Sequence, residues 1–88
     1  LVRDKAAWLF DQSRPCGAEA NMAKLLASQA AWAAGNAAMD TYGGYAYAKE
    51  FDVERKFRET RLYLTAPVNN NLVLAYIAEH VLGLPRSY

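Results

Sequence analysis

Ala18-Glu19-Ala20-Asn21-Met22-Ala23-Lys24-Leu25-Leu26-Ala27-Ser28-Gln29-Ala30-Ala31-Trp32-Ala33-Ala34-Gly35-Asn36-Ala37-Ala38-Met39-Asp40-Thr41-Tyr42, followed at once by Gly43-Gly44, is the stretch whose reading decides the fold. Met22, Leu25, Leu26, Gln29, Trp32, Ala33 and Asn36 recur at three- and four-residue steps, the spacing of one helix face. Alanine fills much of the rest; it has the highest helix propensity and lets a neighbouring helix approach closely. Glu19 falls in the first turn, where a negative charge suits the helix dipole. The spacing predicts a helix from Ala18 to Tyr42, about 36 Å long. Gly43 and Gly44 end it, because glycine takes the left-handed C-terminal conformation at no steric cost.

Upstream, Leu1, Val2, Lys5, Trp8 and Leu9 share a stripe, predicting a first helix near residues 1–12. Ser13, Arg14, Pro15 and Gly17 break it, and Pro15 disfavours helix at Arg14. The chain opens at Leu1 with no initiator Met and no helix cap. This reads as a cut end, so the first helix is expected to be truncated.

Downstream, a third helix is expected near 52–64, with Val53, Phe57, Thr60 and Leu64 as its buried stripe. Asp52 with Lys56 and Glu54 with Arg58 form i,i+4 pairs, each worth about 0.2–0.5 kcal/mol. Pro67 and the run Asn69-Asn70-Asn71 separate it from a last helix near 70–82. Any of the three asparagines suits the N-cap. Leu72, Val73, Tyr76, Ile77 and Val81 make its expected inward face, and Gly83 with Pro85 makes a stop. No strand-like alternation and no internal repeat is present. The expected fold is all-α, an antiparallel helical bundle forming one domain over residues 1–88. A bundle that lacks part of a helix leaves an apolar face uncovered, so self-association is expected.

Composition narrows the function. The chain of 88 residues is 53% hydrophobic and 22% charged, with a formal charge of +1. That describes a globular chain, not the clustered positive surface that nucleic acid requires. No apolar run approaches the ~18 residues of a membrane span. Cys16 is the only cysteine, which suits a reducing, cytoplasmic setting. His80 is the only histidine, so neither a di-iron Glu-x-x-His pair nor a zinc ligand set is present. His80 is expected to be partly exposed near a helix C-terminus. Cys16 lies beside Arg14, but no base stands near it in sequence, so it is read as incidental. The charge run Glu50–Arg61 is read first as a solvated face. Its alternative use is pairing between subunits through Arg55, Arg58 and Arg61.

The segment Tyr42-Gly43-Gly44-Tyr45-Ala46-Tyr47 holds more than a helix stop needs. Adjacent glycines permit close backbone approach to a ligand or another chain. Tyrosines supply apolar area with a polar tip.

Four pieces in order resemble the C-terminal domain of acyl-CoA dehydrogenases. Ala20-Asn21-Met22-Ala23-Lys24 is similar to the family's Ala-x-Met-Ala-Lys helix start. Met39 to Tyr47 is similar to its Gln-x-x-Gly-Gly-x-Gly-Tyr/Phe segment. Asp52 to Arg61 is similar to its Arg-x-x-Arg-Asp-x-Arg helix, and Ile77-Ala78-Glu79-His80-Val81-Leu82-Gly83 to its tail. The resemblance implies a four-helix domain in a tetrameric flavoprotein that oxidises the Cα–Cβ bond of an acyl-CoA. It implies that Asp40, Thr41, Tyr42, Gly43 and Gly44 line the adenine-diphosphate side of an FAD held by a neighbouring subunit. It adds the amides of Asn69, Asn70 and Asn71 as cofactor donors, beside their reading as helix caps. Asp40 stands where the family has Gln, and Ala46 where it has Gly. Pro67 stands where many members carry the proton-abstracting Glu, so no catalytic residue is expected within this chain. The fragment alone is expected to be inactive. The other reading is a non-catalytic helical module, derived from that family, that oligomerises without flavin.

Overall fold

The computed structural model describes residues 1–86. Four α-helices follow in order: α1 (Val2–Asp11), α2 (Gly17–Tyr42), α3 (Val53–Thr65) and α4 (Asn70–His80). Two 3-10 turns, Gly43–Tyr47 and Lys49–Phe51, stand between α2 and α3 where an irregular loop was expected. No strand occurs among the described residues. The chain divides into two compact units. One takes Leu1–Leu26 and the chain from Asn69 onward; the other is Ala27–Val68.

In the first unit, α1 buries Leu9, with Val2 and Ala6 half-buried at helical steps from it. Leu1 and Trp8, expected on the same stripe, are exposed. The indole of Trp8 instead meets the Arg14 guanidinium, 5.7 Å from its ring centre. Helix α2 starts at Gly17, one residue earlier than expected. A side chain there would collide with α4, because a Cβ on Gly17 would lie 2.5 Å from the Tyr76 hydroxyl. On α4, Val73 is 1% exposed, and Tyr76 and Ile77 are half-buried. Leu72 and Val81, both expected inward, are exposed. The sequence period marks an apolar band wider than the face that packs, and the helix is rolled toward Val73 and Tyr76.

The ends of α4 follow local chemistry. The Asn69 side chain accepts a hydrogen bond from the Asn71 N–H at 2.7 Å. The helix stops at His80, two residues short of expectation, where the Val81 and Leu82 N–H groups both donate to the Ile77 carbonyl. Gly83 follows at a φ of 71°. Replacing Asn69 by alanine removes the cap and is expected to cost about 1 kcal/mol. Urea denaturation followed by helix signal checks this, and an unchanged midpoint would show that the cap contributes nothing.

In the second unit, the face that α2 buries is made of small residues. Ser28 is buried, and Ala31, Trp32, Gly35, Ala38 and Met39 are half-buried. Gln29, Ala33 and Asn36, expected on this stripe, are exposed, as is Leu26 just before it. Close approach of α3 explains the choice. A Cβ on Gly35 would lie 2.9 Å from Thr60 Oγ1 and 3.5 Å from the Phe57 ring. Trp32 stacks on Phe57 with ring centres 4.9 Å apart. The Arg61 guanidinium lies 5.6 Å from the centre of the same indole. The expected stripe of α3 holds: Val53 is buried, and Phe57, Thr60 and Leu64 are half-buried.

The charges of α3 serve the helix itself. Glu54 pairs with Arg58 at 2.8 Å and Arg55 with Glu59 at 2.9 Å. Asp52 lies outside the helix in the left-handed region, at a φ of 58°, and pairs with Arg55 at 3.6 Å instead of Lys56. The hydrogen bond from Arg58 holds the Glu54 carboxyl below its ordinary range. A depressed acid of this kind contributes stability at neutral pH that is lost as pH falls through the lowered value. The contribution is small, because the pair is exposed to solvent. With Arg55 and Arg58 paired within their own helix, the charge run is chiefly a solvated face.

Among the described residues, the buried apolar side chains are Leu9, Ala46, Val53 and Val73. Phe10, Leu26, Leu62, Tyr63, Leu72, Leu74 and Leu82 are all exposed.

Candidate functional site

The segment after α2 is built around one buried methyl group. Ala46 is completely buried, so the alanine that replaces the family's glycine packs inward within its own unit. Around it the chain turns tightly. Gly43 has a φ of 57°, ending α2 in the left-handed conformation. The Thr41 hydroxyl donates to the Ala37 carbonyl at 2.8 Å, which ties the last turn of α2 together. Ala48 is extended between the two 3-10 turns.

This geometry gathers three aromatic rings. Phe51 lies 6.0 Å from the Tyr42 ring and meets Tyr45 edge-on at 5.5 Å. Thr41, Tyr42, Tyr45 and Phe51 line an open cleft of about 490 Å³. Of the expected site residues, Thr41 and Tyr42 line it directly. Tyr47 is exposed and lies outside the lining. Phe51 was not anticipated; a lone phenylalanine in a charged run carries no signal that it will turn back onto two tyrosines.

The two glycines differ. A Cβ on either would meet nothing within 4 Å, but only Gly43 has a positive φ. Gly43→Ala is therefore expected to cost about 1–2 kcal/mol from backbone strain. Gly44→Ala is expected to be neutral or slightly stabilising, by up to about 1 kcal/mol, through the unfolded chain. Thermal unfolding of the two variants checks this, and equal losses would contradict the assignment of strain to Gly43 alone.

Asp40 is exposed in the last turn of α2, which contains no basic residue. Its carboxylate thus adds to the negative end of the helix dipole. Asn69, Asn70 and Asn71 belong to the other unit. Asn69 is the cap of α4, and Asn70 accepts a hydrogen bond through Oδ1 from the Lys24 ammonium. The Asn71 side chain is exposed.

Among the described residues, no three His, Cys, Asp or Glu side chains are placed to share a metal ion. His80 is half-exposed, with Nε2 3.8 Å from Glu79 and its ring 4.4 Å from that of Tyr76. Cys16 is a half-buried free thiol. No described helix is long and apolar enough to cross a membrane.

The family model for the acyl-CoA dehydrogenase C-terminal domain matches residues 1–82. The chain belongs to the acyl-CoA dehydrogenase family. Acyl-CoA dehydrogenase FadE12 of Mycobacterium tuberculosis is 40% identical over 90 residues, covering 100% of this chain and 23% of that protein. The mitochondrial short-chain specific acyl-CoA dehydrogenase of Bos taurus is 39% identical over 87 residues, covering 99% of this chain and 21% of its own length. The (2S)-methylsuccinyl-CoA dehydrogenase of Cereibacter sphaeroides is 39% identical over 57 residues, 65% of this chain and 10% of that protein. No solved structure gives a significant match. This acyl-CoA dehydrogenase domain therefore spans less than a quarter of the length of these curated relatives.

Proposed function

We propose that this chain is a C-terminal portion of an FAD-dependent acyl-CoA dehydrogenase, to which it contributes oligomer contacts and one wall of the flavin site. The observation that carries the flavin role is Gly44. It is exposed, its backbone φ is not positive, and a side chain on it would meet nothing in this chain. Nothing within the described residues crowds that position, so its bare backbone is open to close approach by a group outside the chain.

The residues around Gly44 suit one part of a flavin dinucleotide and not another. Tyr42, Tyr45 and Phe51 offer ring faces and edges to a planar heterocycle such as adenine. Asp40, at the negative end of α2, would repel a pyrophosphate. The turn would therefore hold the adenine side through Gly43, Gly44 and the Thr41 hydroxyl, and the exposed Asp40 carboxylate is the residue there that fits a phosphate least. Asn71 is the asparagine whose side chain is most readily given to a cofactor, since Asn69 caps α4 and Asn70 binds Lys24.

When bound, the flavin supplies the hydride acceptor for Cβ of the acyl-CoA. The proton on Cα requires a carboxylate. Pro67, at the family's usual position for that base, has no proton-transfer group, so the base is assigned to a part of the parent outside residues 1–88. What this chain supplies is position and exclusion of water: apolar faces for neighbouring copies, and an aromatic-edged turn against the cofactor. A cytoplasmic setting suits its free thiol.

One observation favours the non-catalytic reading, an oligomerisation module without flavin: the uncompensated Asp40 carboxylate beside the glycine turn. The isolated chain tests the division of labour. It is expected to self-associate at micromolar concentration in sedimentation, because its core is small and its apolar faces are open. It is also expected to leave gel filtration colourless after incubation with FAD, since one wall gives too few converging contacts. A stable monomer would show that the apolar faces need no partner. Yellow protein would show that the chain holds a complete flavin site.

A further inference from the structure

We draw no further inference here: the strongest candidate, the shallow apolar groove of the second unit lined by Ala34, Gly35, Ala38, Val53 and Phe57 with Lys56 on it, is an open face of small residues, and nothing in the structure shows what covers it.

Discussion

Truncation of Trp32 to alanine is expected to destabilise the second unit by about 2–3 kcal/mol, below the roughly 3–5 kcal/mol for losing a fully buried large aromatic side chain, because the indole is only half-buried. Two interactions are lost together. The stack on Phe57 at 4.9 Å contributes about 0.5–1.5 kcal/mol beyond its buried area. The Arg61 guanidinium over the same ring adds about 0.5–1 kcal/mol at an exposed site. A loss of 2–3 kcal/mol changes the folded-to-unfolded ratio by roughly 30- to 150-fold. Urea unfolding of the variants, monitored by helix signal, measures it. A double-mutant cycle with Phe57→Ala should return a coupling of about 0.5–1.5 kcal/mol. Independent losses at the two positions would mean that the stack contributes no specific energy.

The sequence is legible where local chemistry decides and illegible where packing does. Gly43 and Gly83 mark helix ends because a positive φ is costly for any residue with a side chain. Asn69 is one of three equivalent candidates, and the structure selects it because its side chain reaches the Asn71 N–H. The buried stripe of helix α3 is readable: charged residues mark its outer face and leave Val53, Phe57, Thr60 and Leu64 no other side. Helix α2 is not. Alanine occupies every face of it, so the apolar period carries no direction. That Ser28 and Gly35 lie inward while Gln29 and Asn36 lie outward is decided by what packs against the helix. In α1 and α4 the apolar bands include Trp8, Leu72 and Val81, which are exposed in this chain.

The candidate site divides in the same way. The tyrosines and glycines after α2 stand out as residue types. The place of Phe51 depends on two consecutive 3-10 turns and the left-handed Asp52, and none of these has a sequence signature here. Ala46, which the resemblance sets against a family glycine, is completely buried in the turn. No residue type in the chain identifies the chemistry unaided. The order and spacing of the motifs point to the family, and the family model matches residues 1–82.

On the proposed reading, substitution of Gly44 by valine in the full-length parent is expected to weaken FAD binding by at least about tenfold, equivalent to about 1.4 kcal/mol. A branched side chain on this exposed turn projects into the space assigned to the cofactor and holds the adenine off the backbone. The fold should be almost indifferent, because a Cβ at Gly44 touches nothing in the chain and the backbone there has no positive φ. Loss of flavin and loss of stability are thereby separable. Gly43→Ala serves as the opposite control, with a stability loss of about 1–2 kcal/mol from its left-handed backbone. The most direct measurement is the visible-absorbance ratio of flavin to protein in purified Gly44→Val and wild-type enzyme, each titrated with FAD after removal of the bound cofactor. The expected result is a Gly44→Val protein with native helix signal and melting temperature whose FAD dissociation constant is raised tenfold or more. Full flavin content, unchanged affinity and wild-type rates of flavin reduction by an acyl-CoA would show that Gly43-Gly44 is only the end of α2.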